Sequence, residues 1–362
     1  MAAEQRQLLV FSGSYAEESD QGLRVFRIDE SSGQLTETGS YAGLKNPTFV
    51  HVDPERKRLY SISEGVNAEG QKAGEAASFR IDEKEGKLEL LSRRLTVAGT
   101  TCHIQRDQGN RFLSVTSYHG GMTGLLHIEE AGTIGEVADV RQHEGSSVDL
   151  ERQDRPHPHS SFYSPDGRFL LVQDLGLDLI AVYRLDAEAS KLVPHDTVKL
   201  HAGAGPRHLT FHPNGKFAFV INELDSTVTS LAYDAAEGKL EVLGTVSTLP
   251  ADYNGENGTA EIAISKDGRY LYGSNRGHDS IVVFAVDPGN GGLSLIQHIS
   301  SGGGHPRHFA LTPNGQYLLA ANRDANNIVS FRVDAEKGTL QATGYEAEAT
   351  KPVCVIPAYF NV

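Results

Sequence analysis

A turn recurs along this chain, and histidine, arginine and glutamate residues lie at two fixed distances in sequence from it. The residues five positions before the turn are His159, Arg207, Ala260 and Arg307, and those eleven positions after it are Leu175, Glu223, Arg276 and Arg323. Histidine and glutamate can exchange protons with water, and a local cluster of arginines focuses positive potential. These residue types therefore predict acid–base chemistry on a small anionic substrate.

The turn belongs to a hairpin that is clearest between Gly205 and Thr229, in the sequence GPRHLTFHPNGKFAFVINELDSTVT. Apolar and polar residues alternate before the turn, Pro and Gly mark the turn, and an apolar strand follows it. The pattern returns at 155–186, 260–287 and 303–334. Seven units start near Leu8, Val52, Arg106, Ser164, His212, Ser265 and Thr312.

Seven units of this length predict an all-β fold, a seven-bladed β-propeller with four short strands in each blade. The segment 351–359, KPVCVIPAY, matches an innermost strand but is followed by no partner, and the first unit lacks that strand. We therefore expect residues 351–359 to pair with the strand at 8–15 and to close the ring. The whole chain, 1–362, is then a single propeller domain.

Composition limits the partners and the compartment. The net charge of −14 argues against nucleic acid and against an anionic membrane, because both require a basic face. Cys102 and Cys354 lie in apolar stretches and are expected to be buried free thiols. The sequence shows no signal segment and no long apolar run, which favours the cytoplasm. We expect a monomer or a weak homo-oligomer.

The position five residues before the turn begins each innermost strand, and the position eleven residues after the turn ends the neighbouring strand. We therefore expect side chains at both positions to lie at the same mouth of the central channel. A position with only a structural role would tend to keep one residue type, whereas here the type changes from blade to blade. Glu64 falls at the position of Glu223 in the second unit. The polar segment 141–160 lacks strand periodicity and is predicted to be a loop that leads to the site.

The segments PHPHSSFYSPDGRFLLVQDLG, GPRHLTFHPNGKFAFVINEL, AEIAISKDGRYLYGSNRGHDSI and HPRHFALTPNGQYLLAANRD carry a resemblance to a known family. Over essentially its whole length the chain resembles the lactonase family of seven-bladed β-propellers, which includes bacterial 6-phosphogluconolactonase and a fungal muconate lactonizing enzyme. The resemblance is greatest to the bacterial lactonases. It implies hydrolysis of 6-phospho-D-glucono-1,5-lactone in the pentose phosphate pathway. It also implies that His159, Arg207, Glu223 and Arg276 are the catalytic cluster.

Opening a δ-lactone requires a water molecule, a base that takes its proton, and cationic donors for the tetrahedral oxyanion. We favour His159 as the base, because a carboxylate between arginines is a weaker base, and we expect Glu223 to orient the water or a guanidinium. Arg207 and Arg276 are expected to hold the oxyanion or a substrate anion. The candidate substrate-binding residues are His157, Arg323 and Glu64. No cofactor is implied, and no histidine spacing indicates a metal beyond His157-x-His159.

Structural explanations compete with these assignments. Arg207 could lock a blade, and Glu223 with Arg276 could form an ion pair between blades. His208, His212 and His308 are assigned structural roles, and Asp174, Asn222, Asn275 and Asn322 are assigned to strand-exit capping. At the level of function, a muconate-type cycloisomerase and a non-catalytic binding propeller remain alternatives. The absence of Trp makes an aromatic binding rim less favourable.

Overall fold

The computed structural model describes residues 6–361, and this part of the chain forms 28 β-strands and no helix. The strands, in chain order, are β1 Arg6–Ser14, β2 Leu23–Ile28, β3 Leu35–Tyr41, β4 Val50–Asp53, β5 Arg58–Val66, β6 Lys72–Asp82, β7 Lys87–Ala98, β8 His103–Arg106, β9 Phe112–Ser117, β10 Met122–Ile128, β11 Ile134–Gln142, β12 Pro158–Tyr163, β13 Phe169–Asp174, β14 Leu179–Asp186, β15 Lys191–Lys199, β16 Pro206–Phe211, β17 Phe217–Asn222, β18 Thr227–Asp234, β19 Lys239–Ser247, β20 Gly258–Ile264, β21 Tyr270–Arg276, β22 Ser280–Val286, β23 Leu293–Ser300, β24 Pro306–Leu311, β25 Tyr317–Asn322, β26 Asn327–Val333, β27 Leu340–Glu348 and β28 Pro352–Asn361.

These strands form seven antiparallel sheets of four, which we number as blades. Blade 1 has the strand order β28-β1-β2-β3, and blades 2 to 7 take the remaining strands four at a time in chain order, from β4–β7 to β24–β27. The prediction of a seven-bladed β-propeller is confirmed. The described residues include no helix of the length and apolarity that a membrane span needs.

The C-terminal strand completes the N-terminal blade, as the sequence predicted. β28 pairs with β1 along nearly its whole length, from Arg6 opposite Asn361 to Ser14 opposite Pro352. Cys354 in β28 is fully buried and joins the apolar core of the neighbouring blade. The ring is therefore closed by backbone hydrogen bonds within one sheet, and β28 covers the channel-side edge of β1.

The core lies between adjacent blades. Phe169, Leu171 and Val182 of blade 4 pack against Val220 and Leu231 of blade 5 in one buried cluster. Equivalent clusters fill the other gaps between blades, because the apolar residues of each central strand point alternately to the two neighbouring blades. Burial of these side chains supplies most of the stability, and truncation of one such phenylalanine costs about 3–5 kcal/mol.

The repeated hairpin turn has a local cause. In blade 5 the turn contains Gly215 with φ of 70°, a left-handed conformation that a glycine adopts at little cost. His212 accepts the amide hydrogen of Asn214 at its Nδ1 atom, 3.0 Å away, which supports the structural role predicted for this histidine. The turn fixes the register of the two inner strands and so fixes where the channel-mouth residues lie.

Candidate active site

A cavity of about 350 Å³ opens at one mouth of the central channel. Six of the seven blades contribute residues to its wall, whereas blade 6 contributes Arg276, which contacts the lining residue Glu223 but does not itself line the cavity. The residues that line the cavity are Tyr15, Asn46, Thr48, Glu64, Thr100, Thr101, Cys102, Tyr118, His119, Arg152, His159, Glu223 and Arg307. Three of the predicted site residues, His159, Glu223 and Glu64, therefore share one cavity.

β-Bulges present three of the basic side chains. In blade 5, Pro206 lies opposite Asn222 and His208 lies opposite Ile221, so that Arg207 is an extra residue without a partner in the ladder. The same shift leaves His159 unpaired in blade 4 and Arg307 unpaired in blade 7. A bulge bends the strand and redirects the side chain of the extra residue. These three side chains consequently do not follow the regular alternation by which successive side chains of a strand point to opposite faces.

Glu223 is the centre of a buried ion-pair cluster. Its carboxylate contacts the guanidinium groups of Arg152 at 2.7 Å, Arg207 at 3.1 Å and Arg276 at 2.9 Å. Although burial opposes ionisation, the three arginines hold the pKa of Glu223 well below its usual range. The carboxylate is therefore ionised throughout the physiological range and is a poor proton acceptor.

Arg207 and Arg276 lie behind Glu223 and do not belong to the cavity wall. Arg207 donates from Nη1 to the Ala260 carbonyl oxygen at 2.5 Å, and Arg276 donates to the carbonyl oxygens of Gly258 at 3.1 Å and Thr259 at 2.5 Å. Several of their donors are thus committed to backbone and to Glu223. Their charges reach the cavity, but the two arginines that line it are Arg152 and Arg307.

His159 lies on the cavity wall and is 4% exposed as a residue. The ring contacts Tyr118 and His208 edge-on, with centroid distances of 5.7 and 5.3 Å. Its Nδ1 atom is buried and has no hydrogen-bond partner among residues 6–361. Burial, followed by the neighbouring positive charge of Arg207, lowers the pKa of His159 well below the usual histidine value. The imidazole is therefore neutral and able to accept a proton at neutral pH.

Arg152 is a site residue that the repeat pattern did not reveal. It lies on the loop that joins β11 to β12, and its side chain is 44% exposed while it contacts Glu223 and the hydroxyl of Tyr118. The loop is anchored next to it, because the buried Gln153 donates to the Leu175 carbonyl oxygen at 2.9 Å. The loop itself was predicted, within 141–160, but its non-repetitive sequence gives no alignment from which Arg152 could be selected.

His157 supports the cavity from behind. Its ring stacks on Tyr118 at a centroid distance of 4.3 Å, and its Nδ1 atom lies 3.0 Å from the Tyr118 carbonyl oxygen. His157 does not line the cavity. In the structure His157 therefore positions Tyr118. Its predicted contact with a substrate stays a prediction.

The two remaining candidates occupy different places. Glu64 lines the cavity and accepts a hydrogen bond from Nδ2 of Asn46 at 2.9 Å. Arg323 lies instead in an adjoining recess with Tyr15 and Lys351, where its Nε atom donates to Asp324 at 2.6 Å. The substrate-binding role of Arg323 stays a prediction, but its guanidinium is already paired with a carboxylate.

A second layer of polar residues lies deeper in the channel. His208 and His308 both contact Glu261 at 3.0 Å, and all three are buried. Burial raises the pKa of Glu261 and lowers that of His308 to about 4. The mutual bonds support the structural role predicted for the two histidines. Within residues 6–361, no group of three or more His, Cys, Asp or Glu side chains is arranged to hold a metal ion.

The two cysteines are unpaired, as predicted, but only Cys354 is buried. Cys102 is partly exposed and lines the cavity, with its Sγ atom 3.1 Å from the His159 carbonyl oxygen. Burial of the sulfur atom raises the pKa of Cys102 to about 12. The thiol is consequently protonated at neutral pH and is not a nucleophile.

Comparison with known proteins gives consistent matches over the whole ring. The family profile described as "Lactonase, 7-bladed beta-propeller" matches residues 9–357. The chain is 33% identical over 299 residues to the 6-phosphogluconolactonase of Bacillus subtilis, covering 83% of each protein. It is 37% identical over 312 residues to the 6-phosphogluconolactonase of Formosa agariphila, covering 83% of this chain and 85% of the relative.

A solved structure agrees with these matches. The periplasmic gluconolactonase PpgL of Pseudomonas aeruginosa superposes with a TM-score of 0.90 at 32% sequence identity, over 98% of this chain and 99% of that one. The similarity covers all seven blades and the channel mouth, so the comparison concerns the same architecture in which the cavity lies.

Proposed function

The chain belongs to the lactonase family of seven-bladed β-propellers and is a lactone hydrolase, and we propose that it opens 6-phospho-D-glucono-1,5-lactone to 6-phosphogluconate. The observation that carries this proposal is a cavity lined by two arginines and a neutral histidine, with two further arginines directly behind the lining carboxylate of Glu223. Two relatives at 33% and 37% identity are named 6-phosphogluconolactonase, which supports the phosphorylated substrate. The corresponding metabolic place is the pentose phosphate pathway.

The reaction needs a base beside the carbonyl carbon, and His159 is the base in our proposal. A water molecule between the imidazole and the lactone carbonyl attacks the carbon while His159 takes its proton. The ring C–O bond then breaks, and the protonated imidazole returns the proton to the departing ring oxygen. Glu223 does not share this task in our proposal, because both of its carboxylate oxygens are already engaged by arginines.

The oxyanion requires donors that point into the cavity, and Arg152 meets this requirement. It lines the wall beside Glu223 and is held by that carboxylate and by Tyr118. Arg207 and Arg276 act at longer range, by keeping Glu223 in place and by adding positive potential to the cavity. The sequence analysis expected Arg207 and Arg276 to bind the oxyanion. In our proposal Arg152 binds it instead.

The test is a direct assay with three substrates. The purified protein is offered 6-phospho-D-glucono-1,5-lactone, unphosphorylated glucono-1,5-lactone and carboxymuconate, and acid release or loss of absorbance is followed at mildly acidic pH, where spontaneous opening is slow. His159→Gln serves as the matched inactive variant, and the uncatalysed rate is subtracted. Turnover of the phosphorylated lactone supports the proposal. Turnover of carboxymuconate alone would identify a cycloisomerase, and turnover of none would favour a binding protein.

We also propose a cytoplasmic location and a monomer or weak homo-oligomer. Two unpaired cysteines support a reducing compartment. The Pseudomonas aeruginosa relative is named periplasmic, so that location varies within the family. Fractionation of cells followed by immunodetection tests the compartment, and analytical ultracentrifugation of the purified protein tests the oligomeric state.

A further inference from the structure

Arg307 lines the cavity with a guanidinium group that has no hydrogen bond or ion pair to any residue within 6–361. Its only described side-chain partner is the ring of Tyr15, whose centroid lies 5.8 Å from Cζ. In contrast, Arg152, Arg207 and Arg276 all share Glu223. A half-buried guanidinium has lost part of its hydration without gaining an anion, and this cost is recovered if a ligand supplies the anion.

The position of Arg307 separates it from the proposed chemistry. It lies on blade 7 and His159 lies on blade 4, three blades apart, which is the largest separation in a ring of seven. The cavity extends between these two walls. A ligand that places its carbonyl group beside His159 therefore directs its far end toward Arg307 and Tyr15.

The charges around the cavity indicate what the far end carries. Four arginines, at 152, 207, 276 and 307, surround the cavity together with two carboxylates, Glu64 and Glu223. The lining charges of Arg152, Arg307, Glu64 and Glu223 balance, so that Arg207 and Arg276, directly behind Glu223, leave a net charge of +2 around the cavity. This is the charge that a phosphate monoester dianion neutralises. The planar guanidinium also matches two phosphate oxygens at once. Glu64, fixed by Asn46, is available to accept hydrogen bonds from sugar hydroxyl groups.

We propose that Arg307, seated on Tyr15, is the anchor for the phosphate group of the substrate. This inference rests on the proposed function and assigns a substrate-binding residue at its far end. Among the substrate-binding residues predicted from the sequence, Arg323 is the only arginine. That arginine is paired with Asp324 through two hydrogen bonds of 2.6 and 3.1 Å and lies outside the cavity, so it offers a weaker site for phosphate.

The kinetic test compares two substrates that differ only in the phosphate. For Arg307→Gln we expect KM for the phosphorylated lactone to rise about 10- to 100-fold, the effect of losing a charge-assisted contact, with kcat nearly unchanged. Kinetics on glucono-1,5-lactone should stay within about twofold of the parent. Arg307→Lys should show an intermediate KM. Arg269→Gln, which removes an exposed arginine paired with Asp267 in a blade 6 turn, is the control for charge removal.

Two kinetic outcomes would overturn the assignment. The first is an equal loss on both lactones, which would place Arg307 at the reacting carbonyl. The second is a rise in KM for the phosphorylated lactone alone in Arg323→Gln, with no such rise in Arg307→Gln. That result would identify Arg323 as the residue that binds the phosphate group.

A binding measurement separates this inference from the proposed function. Isothermal titration calorimetry with 6-phosphogluconate and with gluconate needs no turnover, so it applies even if the enzyme opens neither lactone. We expect the parent to prefer the phosphorylated acid by about tenfold or more, and Arg307→Gln to lose that preference. Lack of a preference in the parent, or its survival in a folded Arg307→Gln variant, would overturn the subsite.

Discussion

At the residue scale, the decisive property of the site is that its imidazole is neutral and its carboxylate is not. His159 is neutral because its ring is buried and because the positive charge of Arg207 further disfavours its protonation, whereas the arginines favour ionisation of Glu223 against the effect of burial. In our proposal the histidine takes the proton, because its Nδ1 atom has no hydrogen-bond partner among residues 6–361. The carboxylate has the electrostatic task, since it holds three guanidinium groups in fixed positions.

The pH dependence of catalysis follows from this arrangement. His159 accepts a proton only when neutral, so activity is lost as the pH falls through its pKa, and that pKa lies well below the usual histidine value. We expect kcat/KM to stay level from neutral pH down to below about 6.5, the reference value for histidine. His159→Gln should lower kcat by roughly two to four orders of magnitude. A profile that already falls with a midpoint at or above the reference value would contradict the buried, neutral histidine.

The arginines around Glu223 should differ in their effect on folding. Arg207→Ala leaves a buried carboxylate with one partner fewer and frees the Ala260 carbonyl oxygen, so we expect a loss of about 3–5 kcal/mol in the free energy of unfolding. Arg152→Ala removes a half-exposed partner and should cost about 1 kcal/mol or less. Denaturation in urea measures both. Equal losses would show that the two ion pairs are equally buried in solution.

Repetition determined which residues the sequence could reveal. His159, Arg207, Glu223 and Arg276 were found because each occupies an aligned offset in a repeated hairpin. Arg307 occupies the same offset, but only the structure shows that it lacks a carboxylate partner. Arg152 lies on a loop that occurs once, so no alignment within the chain could select it. Pairing between side chains of distant segments is a property of the folded ring, which one sequence does not display.

At the element scale, the bulges and the turns that precede them carry the site. Glu223 is held by its own amide, which donates to the Gly205 carbonyl oxygen at 2.7 Å. Gly205 has φ of 66°, and a Cβ atom on it would lie 2.4 Å from Cγ of Leu224. The position of the central carboxylate therefore depends on a glycine two residues before Arg207, immediately before strand β16.

Substitution of this glycine should disturb catalysis and folding together. We expect Gly205→Ala to lower the free energy of unfolding by about 1–3 kcal/mol and to lower kcat/KM, because relief of the contact moves Glu223. Gly215→Ala is the matched control, since Gly215 has a similar φ of 70° but no atom within 4 Å of the added Cβ. It should lose stability without losing kcat/KM. If Gly205→Ala kept the parent's kcat/KM, the conformation at Gly205 would not determine the position of Glu223 during catalysis.

The sequence identified the strands and turns but not the bulges. Alternation of apolar residues fixes which face of a strand is buried, and glycine with asparagine or aspartate marks the turns. The extra residue at His159, Arg207 or Arg307 follows a proline in each case, yet a proline does not by itself specify a bulge. The shift of register becomes visible only when both strands are seen side by side.

At the scale of the whole molecule, closure of the ring holds seven small sheets in one structure. β28 supplies the innermost strand of blade 1, and its residues Cys354, Val355 and Phe360 enter the apolar cores on both sides of that blade. No single blade buries enough apolar surface to be stable alone, so each depends on both neighbours.

Removal of the closing strand should therefore affect the entire protein. We expect deletion of all residues after Ala349 to give an aggregated product without a cooperative thermal transition, because β1 becomes an open edge and two cores lose buried side chains. Size-exclusion chromatography and a thermal melt measure this outcome. A synthetic peptide of residues 350–362 added in trans is the control and should restore soluble protein. A truncated monomer with the parent's thermal transition would contradict closure by β28.

The pairing of β1 with β28 also sets the order of events during synthesis. β1 leaves the ribosome among the first strands, but its partner is translated after every other blade. Blades 2 to 7 can form as the nascent chain lengthens, whereas blade 1 must wait with an unpaired edge. Contacts between residues so far apart in the chain form slowly, and exposed edges recruit other chains. Completion of blade 1 is therefore the last step in closing the ring, and the interval before it is when a chaperone would have the most effect on yield.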